Sequence, residues 1–206
     1  MRGGGAWKRR LALELASTVR HDGDGGVADD LATAEGTTRW LGERAGLLTG
    51  CGVAGGFEAD DALMDEIVEL RQAVRALFAR AVSPAPASPA DAHRLMPADR
   101  ALALLNAAAA RELVAPQLDW PGESLPEARL LSAERDSGLR IVAALARAAI
   151  EFLAGPERER LRACAAPRCV RYFLKEHGLQ EWCKPSCGNR ARAARHYRRQ
   201  RAADAG

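Results

Sequence analysis

Apolar side chains recur along this chain mostly at steps of three and four, the spacing of one helix face. The clearest case is Leu63, Ile67, Leu70, Val74 and Leu77, with Asp60 or Asp61 placed to cap the helix they define. Leu11 to Val19 reads as a shorter helix, followed by the loop His-Asp-Gly-Asp-Gly-Gly. Thr33 to Leu48 reads as another, with Trp40, Leu41 and Ala45 on one side. Residues 83–90, Ser-Pro-Ala-Pro-Ala-Ser-Pro-Ala, form a connector rather than an element. Pro97 suits the first turn of a helix running to about Ala110. Between Glu112 and Leu131 the periodicity weakens, and Pro121-Gly122 predicts a turn between two short strands. A last body helix carries Leu139, Val142, Leu145, Ala149 and Leu153 inward and stops at Gly155-Pro156.

The composition agrees. Aromatic residues are 5% of the 206 and there are three isoleucines, so packed helices are favoured over an all-β fold. No Gly-Lys-Ser/Thr occurs, which excludes a Walker-type phosphate loop. The longest apolar stretch, Ile141 to Ile150, is half the length of a membrane span and carries Arg147. Glu14 breaks the leucine run near the start, so that segment is not read as a signal peptide, and a cytoplasmic protein is expected. Charge changes the picture more. Residues 156–206 carry 13 Lys/Arg against 5 Asp/Glu, whereas residues 1–155 carry 17 against 22. A basic end on an acidic body is the asymmetry of a chain whose tail meets a polyanion. The expected organisation is therefore a helical domain over 1–155 and a second unit over 156–206.

Four cysteines concentrate the chemistry of that second unit. Cys164-x4-Cys169 and Cys183-x3-Cys187 are two close pairs separated by thirteen residues. Two such pairs supply a tetrahedron of thiolates, the set that zinc takes in structural sites. An iron–sulfur cluster uses the same four-thiolate set and is the alternative occupant; disulfides would need an oxidising compartment, for which the chain shows no signal. Cys187 stands where a helix begins, and a helix N-terminus favours the thiolate. Gly188, Asn189 and Arg190 follow it, placed to fix the turn or to donate hydrogen bonds to sulfur. Tyr172, Phe173 and Trp182 are expected to form a small core over the metal. In the terminal helix, Arg192, Arg195, Arg198 and Arg199 fall within about a third of the circumference. Ala193, Ala194 and Tyr197 fill the opposite side, which is expected to pack on the finger.

The string CAAPRC…WCKPSCGNRARAARHYRR resembles the CGNR zinc finger of bacterial proteins described as stress-induced transcription regulators, with Cys187, Gly188, Asn189 and Arg190 as the tetrad. Upstream, LALELASTVR, DDLATAEGTTRWLGERAGL and LMDEIVELRQAVRALF are similar to that family's N-terminal ABATE domain. The resemblance implies a helical N-terminal domain joined to a DNA-binding finger, with Cys164, Cys169, Cys183 and Cys187 as zinc ligands and Arg190 as the arginine after Gly-Asn. One departure stands out. The arm YFLKEHGLQEWC is shorter than the family's and places Lys175, Gln180 and Glu181 where acidic, basic or serine residues are usual, so it brings less positive charge.

Other motifs carry less. Gly50, Gly52 and Gly55 match G-x-G-x-x-G, but a helix precedes them, and Glu58, Asp60 and Asp61 would repel a pyrophosphate. Cys51 has no evident base, and Asp22 with Asp24 lack the rest of a calcium loop. His177 and His196 are unnecessary as ligands beside four cysteines. Asp65 and Glu66 suit a helix start better than acid–base work. Trp40 and Trp120 are expected in the core rather than in a ligand pocket. No nucleophile–base constellation points to an enzyme. The expected fold is mainly α, with a short hairpin, a four-cysteine zinc finger and a basic terminal helix. The expected function is transcriptional regulation on duplex DNA through Arg190, Arg192, Arg195, Arg198 and Arg199, while the helical domain senses a small-molecule effector or forms a homodimer. The alternative is a protein- or RNA-interaction module whose zinc is purely structural.

Overall fold

The computed structural model describes residues 6–21, 26–49, 56–91 and 95–204. In chain order the elements are α1 (Ala6–Ala16), β1 (Val19–His21), β2 (Val27–Asp29), α2 (Ala34–Glu43), α3 (Ala45–Thr49), α4 (Asp61–Val82), α5 (Ala98–Ala110), β3 (Val114–Asp119), β4 (Glu127–Ser132), α6 (Ser137–Ala154), β5 (Leu161–Ala163), β6 (Tyr172–Leu174) and α7 (Pro185–Asp204). Each strand pair, β1–β2, β3–β4 and β5–β6, is a separate antiparallel ribbon. The fold is mainly helical, as expected.

The helix α4 is built as its sequence predicts. Asp60 accepts a hydrogen bond from Leu63 N at 2.8 Å, and Leu63, Ile67, Leu70, Val74 and Leu77 are all buried. It packs with α1, α5 and α6 into one core containing Leu11, Leu15, Leu105 and Ile141. The helix α6 is buried more widely than one face allows: every residue from Ile141 to Ala146 is inside. Its alanines let α1, α4 and α5 approach from several sides, so Ile141 and Phe152 supply bulk while Leu139 and Leu153 are only half-buried. The expected helix over 33–48 is broken at Arg44 into α2 and α3. Arg44 donates to Glu14 at 2.9 Å and lies over the Trp40 ring at 4.9 Å.

Two expectations need correction here. Trp120 is not in the core; it is 62% exposed at the turn end of the β3–β4 ribbon. The proline-rich connector contains neither helix nor strand, as expected, and Ser88 within it and Asp91 just beyond it are buried. The ribbons β1–β2 and β5–β6 go beyond the expected single hairpin, because three residues per strand give no readable alternation. Trp40 is buried as expected, and it also borders a cleft of about 340 Å³ with Arg10, Thr18 and Arg171. The loop residues Asp22, Asp24, Gly50, Cys51, Gly52 and Gly55 lie outside the described residues. Among the described residues no helix is long and apolar enough to cross a membrane.

Candidate metal centre and basic helix

The β5–β6 ribbon carries the first cysteine pair. Its register sets Leu161 against Leu174 and Ala163 against Tyr172, leaving Cys164 and Cys169 at the mouth of the turn. Cys164 N donates to Arg171 O at 2.9 Å, and Cys169 N to Ala166 O at 3.0 Å. Between them Arg168 adopts φ 63°, a left-handed residue that reverses the chain within the short loop. Of the second pair, Cys183 lies just before α7 and Cys187 on it. Proline at position 185 opens the helix where its missing N–H costs nothing, and Cys187 sits in the first turn, its N–H bonded to Lys184 O at 3.0 Å.

The four thiols converge. All four sulfur atoms lie within 4.8 Å of one another, with Cys169 to Cys183 at 3.7 Å and Cys183 to Cys187 at 3.6 Å. A tetrahedron with Zn–S bonds of about 2.3 Å has edges of about 3.8 Å, which the two shorter spacings match. Cys164, Cys169 and Cys187 are buried with Ala166 and Phe173 in a small cluster of their own, and Trp182 packs against it. Hydrogen bonds from the Cys164 and Cys183 thiols pull Cys169 down to about 3, while hydrogen bonding with Cys164 and Cys169, and burial, push Cys183 up. A bound Zn2+ would hold these four side chains in place and neutralise them; its role is structural.

The residues of the tetrad have separable tasks. Arg190 turns back and donates from Nη2 to Cys187 Sγ at 3.2 Å. At Gly188 an added Cβ would lie 3.1 Å from Cε3 of Trp182, so glycine admits the indole against the helix. Asn189 Oδ1 accepts from Arg192 Nη2 at 2.5 Å. Arg195 lies over the Trp182 ring at 5.8 Å. His177 and His196 are exposed and stand outside the thiol cluster.

Two site expectations are corrected. Tyr172 does not cover the metal. Neighbouring residues of a strand point to opposite faces, so Phe173 reaches the cysteines while Tyr172 enters the helical core, edge-on to Phe78 at 5.5 Å. Nor do Ala193 and Tyr197 pack on the finger: both are exposed, Tyr197 by 67%, and Ala194 is half-buried. Only the first turns of α7 touch the finger, so the helix projects outward and exposes Arg192, Arg195, Arg198 and Arg199. None of these four forms an ion pair among the described residues.

A buried polar network that the sequence does not advertise joins finger and body. Arg75 of α4 donates to Asp91 at 2.7 and 3.0 Å, to Ala16 O at the end of α1 at 2.5 Å, and to Val170 O at 3.0 Å. Ser88 Oγ donates to the same Val170 carbonyl at 2.8 Å, and Tyr172 Oη donates to Asp91 at 2.7 Å. Val170 follows Cys169 directly, so one guanidinium fixes α1, the proline-rich connector and the metal loop together.

Fold and site together define a helical protein that carries a four-cysteine zinc finger running into a basic helix. A family model described as "ABATE: Putative stress-induced transcription regulator" matches residues 9–156, and the CGNR zinc finger model matches residues 160–200. The chain belongs to the ABATE family and ends in a CGNR zinc finger. A search of curated proteins finds no match.

Proposed function

We propose that this chain is a DNA-binding regulator, a binding protein rather than a catalyst, in which the zinc finger presents one face of α7 to duplex DNA. The observation that carries the reading is the exposed arginine face. Arg192, Arg195, Arg198 and Arg199 are exposed on a helix that leaves the finger after its first turns, with no carboxylate partner among the described residues. Arginines held at fixed spacing on a rigid helix suit phosphates and a major groove. Arg190 supports that face from behind by bonding Cys187 rather than by reaching outward. The family's description as a transcription regulator supports the same reading.

Fluorescence anisotropy of the zinc-loaded protein on mixed-sequence duplex tests it. Binding at low salt that disappears on chelation is the expected result, since without metal the first turn of α7 loses its anchor. No binding at low salt with zinc confirmed present would overturn the proposal and favour a protein- or RNA-docking role for the finger.

A further inference from the structure

The β3–β4 ribbon projects from the helices with its two faces sharply different. Its register pairs Val114 with Ser132, Pro116 with Leu130 and Leu118 with Ala128, and directly paired residues share a face. One face is therefore uncharged and, apart from Ser132 at its base, apolar, and Trp120 continues it at the exposed tip. The other face holds Gln117, Asp119, Glu127 and Arg129, with Arg129 and Asp119 paired at 2.6 Å, and toward its base Ala115 and the exposed Leu131. Such a pattern normally marks a sheet with its apolar side on a core. Here Leu118 is 70% exposed and Pro116 and Ala128 are exposed too. An isolated two-stranded ribbon is marginal in water, yet this one is clamped at its base: Glu112, two residues before β3, accepts from Arg140 at 3.1 Å and Arg147 at 2.5 Å on α6. The arm is held firmly and its apolar face is left open.

We propose that this face is a homodimer interface, closed by the same face of a second copy across a two-fold axis. Two arguments select a second copy. The face carries no charge, so a two-fold axis brings no like charges together, and Asp119, Glu127 and Arg129 lie on the opposite face. Its area also suffices. The exposed apolar side chains offer on the order of 400 Å² per copy. With a polar rim around it, such a contact would reach the roughly 500 Å² per partner that a specific interface needs.

Sedimentation equilibrium of the full zinc-loaded chain, without DNA, tests this separately from the DNA reading. A concentration-dependent dimer is expected. Leu118→Glu places a charge on both sides of the axis, so dimerisation weakens by about 100- to 1,000-fold while the circular dichroism melt of the monomer is unchanged. Leu118→Gln, which no fold could reject at so exposed a site, weakens it less but measurably. A wild-type chain that stays monomeric at every concentration overturns the proposal, as does a dimer that both variants leave intact.

Discussion

Arg190 and Arg192 stand two residues apart on α7, and their surroundings give them different duties. Arg190 is half-buried and bonds the sulfur of Cys187, whereas Arg192 is exposed and held by Asn189. A donor to a thiolate ligand lowers the charge that the metal must balance and fixes the sulfur's position. Arg190→Gln is expected to lower zinc affinity about 10- to 100-fold in a chelator competition. Arg192→Gln should leave it unchanged. Equal zinc affinities in the two variants would contradict this division. The sequence shows that both arginines follow the cysteine, but only their positions around the helix, with the finger on one side, assign the tasks.

At the scale of elements, the joint between finger and body rests on α4. Arg75 and Asp91 are 16 residues apart and Arg75 and Val170 are 95 apart. Nothing local marks these three as partners, which is why the connector over 83–90 reads as a mere linker. The place of Tyr172 is hidden in the sequence for the same reason: which side of a three-residue strand faces the body depends on tertiary packing. By contrast, the pattern of α4, its Asp60 cap and the cysteine spacing are local features, and they are legible without a structure. Asp91→Asn leaves a buried guanidinium without its counter-charge, at a cost of about 3 kcal/mol or more, and the melting temperature should drop by about 6–12 °C. Zinc affinity should fall with it, because the Val170 carbonyl beside Cys169 loses its anchor. Leu105→Ala, a cavity in the same core at a distance from the finger, serves as control: it lowers the melting temperature and leaves zinc affinity alone. Zinc affinity unaltered in Asp91→Asn would show that body and finger are not coupled through this network.

For the molecule as a whole, two carboxylates tie the ribbons to the helices. Burial pulls Asp29 and Glu112 upward, but hydrogen bonds outweigh it: Arg71 holds Asp29 below its ordinary 3.8, and Arg147, Ser132 and Arg140 hold Glu112 below its ordinary 4.5. Groups depressed in the folded state stabilise it fully above their ordinary values, and that stability is lost as pH falls through the folded ones. The melting temperature should be level from about pH 7 to about pH 5 and fall below about pH 4, with a shallower acid limb in Glu112→Gln. An acid limb identical in wild type and variant would show that Glu112 does not bear on global stability.

The acidic body and basic end that charge counting reveals are thus joined as one molecule, with an arginine face held out by a metal-templated helix. The salt dependence of duplex affinity tests that claim most directly. If Arg192, Arg195, Arg198 and Arg199 each displace a counterion, log affinity falls against log salt with a slope of about −3 to −4, and Arg195→Ala with Arg198→Ala makes it shallower by about 2. A slope near zero, or one that the double variant leaves unchanged, would contradict the account.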